Sequence, residues 1–131
     1  MLIAPTRLQS SAIHGLGVFA AQPIPSEAVV SRYQPPFDVA YTADAIERLS
    51  PAERTFLRCY AYRSVFNGIY YLVGDHDRFM NHSETPNVGM NPDGTSTVLA
   101  LRDIAEGEEL TCDYRSFDAD WRDKLPPVCG S

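Results

Sequence analysis

Two short segments concentrate the polar side chains with chemical potential. In Arg78-Phe79-Met80-Asn81-His82-Ser83-Glu84-Thr85-Pro86-Asn87, amides, an imidazole and hydroxyls crowd around apolar residues and a proline. Such a cluster suits a buried polar turn whose side chains hydrogen-bond the backbone of other segments. In Gly107-Glu108-Glu109-Leu110-Thr111-Cys112-Asp113-Tyr114, an acidic strand entry ends on a phenol. A third segment, His14-Gly15-Leu16-Gly17-Val18-Phe19-Ala20, carries two glycines that lead into an apolar strand. The dinucleotide-binding fingerprint needs a third glycine and a helix N-terminus, so it is excluded. Two residues without Cβ permit a sharp turn and let a ligand approach the backbone, with a plain β-turn as the alternative. Asp75-His76-Asp77 and His82 offer ligand types that suit divalent ions. After Gly74 such residues more often serve a turn, and no metal is expected. Tyr60, Tyr62, Tyr70 and Tyr71 place four phenols just upstream, and ordinary strand packing competes for each.

In this order and spacing the three segments resemble the SET-domain signatures: a glycine-containing opening, an arginine-phenylalanine pair before asparagine-histidine-serine, and an acidic strand ending in tyrosine. The resemblance runs from about Thr6 to Tyr114. It implies one SET domain over 1–131, with a core of 6–114 and a C-terminal flank of 115–131. The implied fold is mainly β, a β-clip of several small curved antiparallel sheets with two or three short helices. A C-terminal pseudoknot would set Asn81-His82 under Leu110 to Tyr114.

The activity implied is methyl transfer from S-adenosylmethionine to the ε-amine of a lysine in a protein substrate. Tyr114 matches the catalytic tyrosine. Gly15, Leu16, Gly17, Arg78, Phe79, Asn81, His82 and Tyr114 match the cofactor site, with the His82 imidazole read as a pin of the pseudoknot. Tyr62, then Tyr60, are the expected channel residues. Phe117 and Trp121 are expected to cover the adenine or close the channel, in competition with core packing of a short helix. Because a sulfonium is an activated donor, the protein must chiefly align a neutral amine and exclude water. An exposed lysine titrates near ~10.4, and an apolar channel disfavours its ammonium form.

The sequence departs from the family pattern at two places. Cys112 stands where the family often has a phenylalanine or tyrosine that limits methylation, so di- or trimethylation is expected. The zinc-binding cysteines that flank many SET domains are missing, which implies a lid built by packing or by a partner subunit, and a homodimer. A non-catalytic module that binds a basic peptide or partner is the competing class.

The 131 residues include eleven Lys and Arg against seventeen Asp and Glu, a formal charge of -6. That balance argues against direct nucleic-acid binding and makes a basic polypeptide, such as a histone tail or ribosomal protein, the easier partner. No apolar run approaches the ~20 residues of a membrane span, and no export signal is expected. Cys59, Cys112 and Cys129 lack a C-x-x-C pair and are expected to be free thiols in a cytoplasmic protein, or a nuclear or chromatin-associated one if histones are the substrate.

These residues require curved strands to position them. β-branched and aromatic runs predict strands at Gly17 to Ala20, Ala28 to Tyr33, Ile69 to Val73 and Thr95 to Leu101, antiparallel and strongly curved. Asn67-Gly68 predicts a hairpin between Tyr62 to Phe66 and Ile69 to Val73, and Asn91 to Gly94 a longer turn. Thr42 to about Tyr60 reads as helical, broken at Ser50, where Ser50-Pro51-Ala52-Glu53 forms a capping box. A further helix is expected from Phe117 to Lys124, opened by Ser116 or Asp118 and stopped by Pro126-Pro127, with an irregular tail.

Overall fold

The computed structural model describes residues 1–93 and 95–125. Among them the chain forms β1 (Thr6–Ser10), β2 (Leu16–Ala20), β3 (Val29–Arg32), β4 (Val39–Tyr41), α1 (Ala43–Glu47), α2 (Pro51–Tyr60), β5 (Tyr62–Arg63), β6 (Tyr70–Leu72), β7 (Asn81–His82), β8 (Val88–Met90), β9 (Thr97–Ala100) and β10 (Glu109–Cys112). The strands make three small sheets, ordered β1-β2-β10-β7, β3-β9-β8 and β4-β6-β5. Val18, Ile24, Val30, Val88, Ile104 and Leu110 meet in one core. The fold is therefore mainly β, as expected.

The helices follow their caps. The Ser50 hydroxyl accepts from the Glu53 amide at 3.2 Å while the Glu53 carboxylate accepts from the Ser50 amide at 3.0 Å, and Pro51 opens α2. The β5–β6 hairpin also forms, with Gly68 at φ +72°. Its strands are shorter than expected, although the Ser64 amide still donates to the Ile69 carbonyl at 2.9 Å, and residues 63–65 also pair with residues 117–119.

That other pairing corrects the expected helix over Phe117 to Lys124. Here two 3-10 turns, Tyr114–Ser116 and Trp121–Lys124, flank a turn that bridges to Ser64 through Asp118. The Val65 amide donates to the Phe117 carbonyl at 3.0 Å, and the Ala119 amide to the Arg63 carbonyl at 2.7 Å. Backbone groups committed to a neighbouring segment cannot also form an i→i−4 ladder. Asp118, expected as a helix opener, is instead a buried strut: it accepts from the Arg63 and Asp120 amides and pairs with the Lys124 ammonium at 3.2 Å. Pro126-Pro127, Cys129 and the tail expected to be irregular lie outside the described residues, as does Gly94 of the second turn.

The strands expected from the pattern, now β2, β3, β6 and β9, pair antiparallel as expected. β10 adds a contact the pattern did not suggest: it runs antiparallel to β2 but parallel to β7, with Thr111 opposite Asn81 and Cys112 opposite His82. Alternating patterns are blind to strand direction. One more expectation fails: not all the cysteines are free, since Cys59 is disulfide-bonded and Cys112 is a free thiol. Spacing along a chain sets only an upper limit on distance in space.

Asn87, almost wholly buried, clamps β10. Its Oδ1 accepts from the Thr111 amide at 2.8 Å, and its Nδ2 donates to the Glu109 carbonyl at 2.8 Å and to the Glu108 carboxylate at 3.1 Å. The Arg102 guanidinium, with help from Asn87 and the Ala105 amide, pulls the Glu108 carboxyl down to about 2. Asn87→Ala strands two backbone groups. It should lower stability by roughly 2–4 kcal/mol, read as a lower denaturant midpoint at unchanged slope.

Candidate active site

The loop joining β1 to β2 is closed by the Ser11 amide donating to the Gly15 carbonyl at 2.8 Å, with Gly15 at φ +48°. A left-handed backbone there favours glycine. Asn81, buried in β7, reaches into this loop. Its Nδ2 meets the His14 and Leu16 carbonyls, the Ser11 hydroxyl and the Glu109 carboxylate at 3.0–3.1 Å. Two backbone carbonyls and a carboxylate can only accept, which fixes the amide's orientation. Ser11 also donates to both Glu109 oxygens at 2.8 and 2.9 Å.

Gly17 is explained by the same knot. A Cβ there would lie 2.5 Å from Glu109 Oε2 and 3.1 Å from Ser11 Cβ. The space that glycine leaves is filled by the protein's own carboxylate rather than held open. Sequence reading missed Ser11 and left Glu109 without a role. A lone serine carries no signal, but a glycine that needs a neighbour's side chain can be recognised once β2 and β10 are paired.

On the other side of β7 and β10, Tyr114 follows β10 in a 3-10 turn. Its amide donates to His82 Nδ1 at 3.1 Å, so the neutral imidazole carries its proton on Nε2. Its hydroxyl donates to the Met80 carbonyl. Burial pushes the Tyr114 phenol and the Cys112 thiol well above their ordinary ranges, so both are neutral at neutral pH.

Tyr114 and Cys112 line a cavity of about 480 Å³ with Tyr60, Tyr62, Tyr71 and Phe117. The rings form a continuous wall. Phe117 stands edge-on to Tyr62 at 5.1 Å and to Tyr114 at 6.1 Å, and Tyr62 stacks on Tyr71 at 5.4 Å. Burial also raises the Tyr62 phenol. Tyr60 is 37% exposed and packs on Phe56 and Phe79, at the open edge of this wall. Tyr71, which the sequence did not single out, has a larger share in the wall. Tyr70, its neighbour on β6, lines a separate small cleft with Ile46 and Leu57, as alternation along a strand requires.

The remaining site residues divide. The Trp121 ring lies nearly parallel to His82 at 6.4 Å. The Arg78 guanidinium donates to the Val73 carbonyl and covers Phe56, while Phe79 packs on Tyr60, so neither side chain joins the Asn81 knot. Asp75 accepts from the Leu2 and Asp77 amides, and His76 Nε2 meets the Thr6 hydroxyl at 2.7 Å. Among the described residues no cluster of three or more His, Cys, Asp or Glu forms a metal cage.

Residues 15–115, which carry both the knot and the cavity-lining Tyr114, match the family model described as the SET domain. The chain belongs to the SET-domain family. It is 33% identical over 97% of its length to an Aspergillus fumigatus histone-lysine N-methyltransferase, H3 lysine-4 specific, and 32% identical over 92% to human histone-lysine N-methyltransferase 2B. It spans only 11% and 5% of those two proteins. A structure of ctPRC2 bound to S-adenosylmethionine shares the fold, with a TM-score of 0.62 at 21% identity, covering 95% of this SET domain and 16% of that chain.

The packing of Glu109 into the space above Gly17 is testable by a double-mutant cycle. Gly17→Ala should cost about 1–3 kcal/mol through overpacking. In a Glu109→Ala background the same change should cost less, with coupling above about 0.5 kcal/mol. Equal costs in both backgrounds would remove the steric account.

Proposed function

We propose that this SET domain methylates the ε-amine of a lysine in a protein substrate, with S-adenosylmethionine as donor. The observation that carries the reading is the Tyr114 hydroxyl, set in the wall of an aromatic cavity and anchored to the Met80 carbonyl. The parallel contact of β7 with β10 supports the expected pseudoknot, because it lays the asparagine-histidine segment directly beside the strand that leads to Tyr114.

The knot's chemistry fits the cofactor. The His14 and Leu16 carbonyls and the Glu109 carboxylate converge on one point, and each carbonyl keeps a second lone pair after bonding Asn81. Such an acceptor-rich, negatively charged patch suits a ligand that carries an ammonium and a sulfonium. Gly15, Leu16, Gly17, Asn81 and the His82 backbone would hold it, with Trp121 beside the His82 ring as a cover. When bound, S-adenosylmethionine supplies an activated methyl group.

The chain's own residues then have the task of placing an amine. Apolar walls of Tyr62, Tyr71 and Phe117 disfavour the ammonium form of a lysine once its amine is seated against Tyr114. Tyr114, neutral and with its proton committed to Met80, acts towards the amine as an acceptor. It can therefore orient an amine N–H and leave the nitrogen lone pair free for attack. Cys112, a small neutral thiol in the same wall, leaves room for an amine already methylated. The net charge of -6 and the histone-lysine relatives support a basic protein as substrate.

Incubation with methyl-labelled S-adenosylmethionine and a mixed protein extract tests the reading. Label should appear on lysine, and Tyr114→Phe should reduce transfer by about 10²-fold or more while calorimetry shows retained cofactor binding. Binding without transfer by the unsubstituted protein would instead indicate a recognition module. Mass spectrometry of an exhaustively treated substrate should show di- or trimethyl-lysine, and Cys112→Phe should shift the product to monomethyl-lysine. Monomethyl product alone from the unsubstituted protein would exclude the room assigned to Cys112.

A further inference from the structure

The cavity that holds Tyr62, Cys112 and Tyr114 also contains a carboxylate, Asp77, that no ion pair among the described residues includes. The Ser31 hydroxyl donates to it. Nearby cations make their contacts elsewhere: Arg78 to the Val73 carbonyl, Lys124 to Asp118 at 3.2 Å, and the Met1 ammonium, whose charge also reaches Asp77, to Asp38 at 2.9 Å. Arg32 lines the same cavity without pairing to Asp77. The neighbouring carboxylates are occupied too, Asp75 by the Leu2 and Asp77 amides and Asp38 by the Gln34 and Gly74 amides. Burial raises the Asp77 carboxyl to about 6, which leaves it an anion at neutral pH. Its charge is felt at both Tyr62 and Cys112, so it acts across the aromatic wall.

We propose that Asp77 is a specificity-determining residue, which recognises the cationic head of an entering lysine side chain and rejects apolar side chains of the same length. The proposal rests on the reading of the cavity as a lysine channel. A carboxylate offers about four acceptor sites and an ammonium three donors, so one serine hydroxyl leaves Asp77 far from saturated. Charge-assisted bonds of this kind are about twice as strong as neutral ones, and in a wall of rings they are poorly screened. Asp77 thus selects the charged lysine at entry, while Tyr114 places the neutral amine at reaction.

Titration of the isotope-labelled protein with Nα-acetyl-lysine methylamide and with its norleucine counterpart, followed by NMR, tests this without a known substrate. The lysine compound should perturb the cavity residues and bind about tenfold or more tighter than norleucine. Asp77→Asn should abolish that preference and leave norleucine binding unchanged, which also reports an intact cavity, and Asp77→Glu should restore part of it. Unchanged lysine preference in Asp77→Asn overturns the proposal and leaves the channel reading standing. Failure of the unsubstituted protein to bind the lysine compound in the cavity overturns both. If Asp77→Asn does not fold, Asp77→Ser carries the same comparison.

Discussion

A four-residue strand held on both edges is the constraint on which the site depends. β10 takes β2 antiparallel on one side and β7 parallel on the other. Its backbone therefore fixes the distance between the glycine loop and the asparagine-histidine segment. Its side chains divide the work. Glu109 fills the space above Gly17, and Leu110, fully buried, locks the strand to the core with about 1.5–3 kcal/mol of burial. Asn87 clamps the Thr111 amide, and Cys112 opens onto the cavity. Tyr114 leaves the strand two residues later with its direction set by His82 and Met80.

The electrostatics on the two sides of this strand differ in kind. On the glycine-loop side, carbonyls and the Glu109 carboxylate present acceptors. On the cavity side, burial keeps Tyr62, Tyr114 and Cys112 in their neutral forms, beside Asp77, a carboxylate that no ion pair among the described residues includes. For the proposed transfer, that division places negative partial charge where a cationic donor would sit and low dielectric where an amine must shed its proton. Neither side needs a strong acid or base.

What the sequence made legible was what local physics determines. The capping box at Ser50, the turn at Asn67-Gly68 and the β-branched runs of β2, β3 and β9 each depend on a few adjacent residues. The three motifs, read together, also placed Asn81, His82 and Tyr114 near one another. What remained hidden depends on partners distant in the chain. Asp118 reads as a helix opener until the 63–65 segment takes the backbone around it. The direction of β7 against β10 leaves no trace in alternation. The choice between Tyr70 and Tyr71 turns on which face of β6 meets the cavity, and pattern alone does not show that in a strand of three aromatic or aliphatic residues.

Met80 ties the two sides together. Its side chain lies in the core, its carbonyl accepts the Tyr114 hydroxyl, and the next residue is Asn81, bound to the glycine loop. A displacement of the loop therefore has a short route to the phenol: by hydrogen bond to Asn81, along the chain to the Met80 carbonyl, and by a second hydrogen bond to the Tyr114 oxygen. Gly17 matters for the same reason. By admitting the Glu109 carboxylate, it lets the loop, β7 and β10 settle in one register, and that register sets where the Tyr114 hydroxyl stands in the cavity wall.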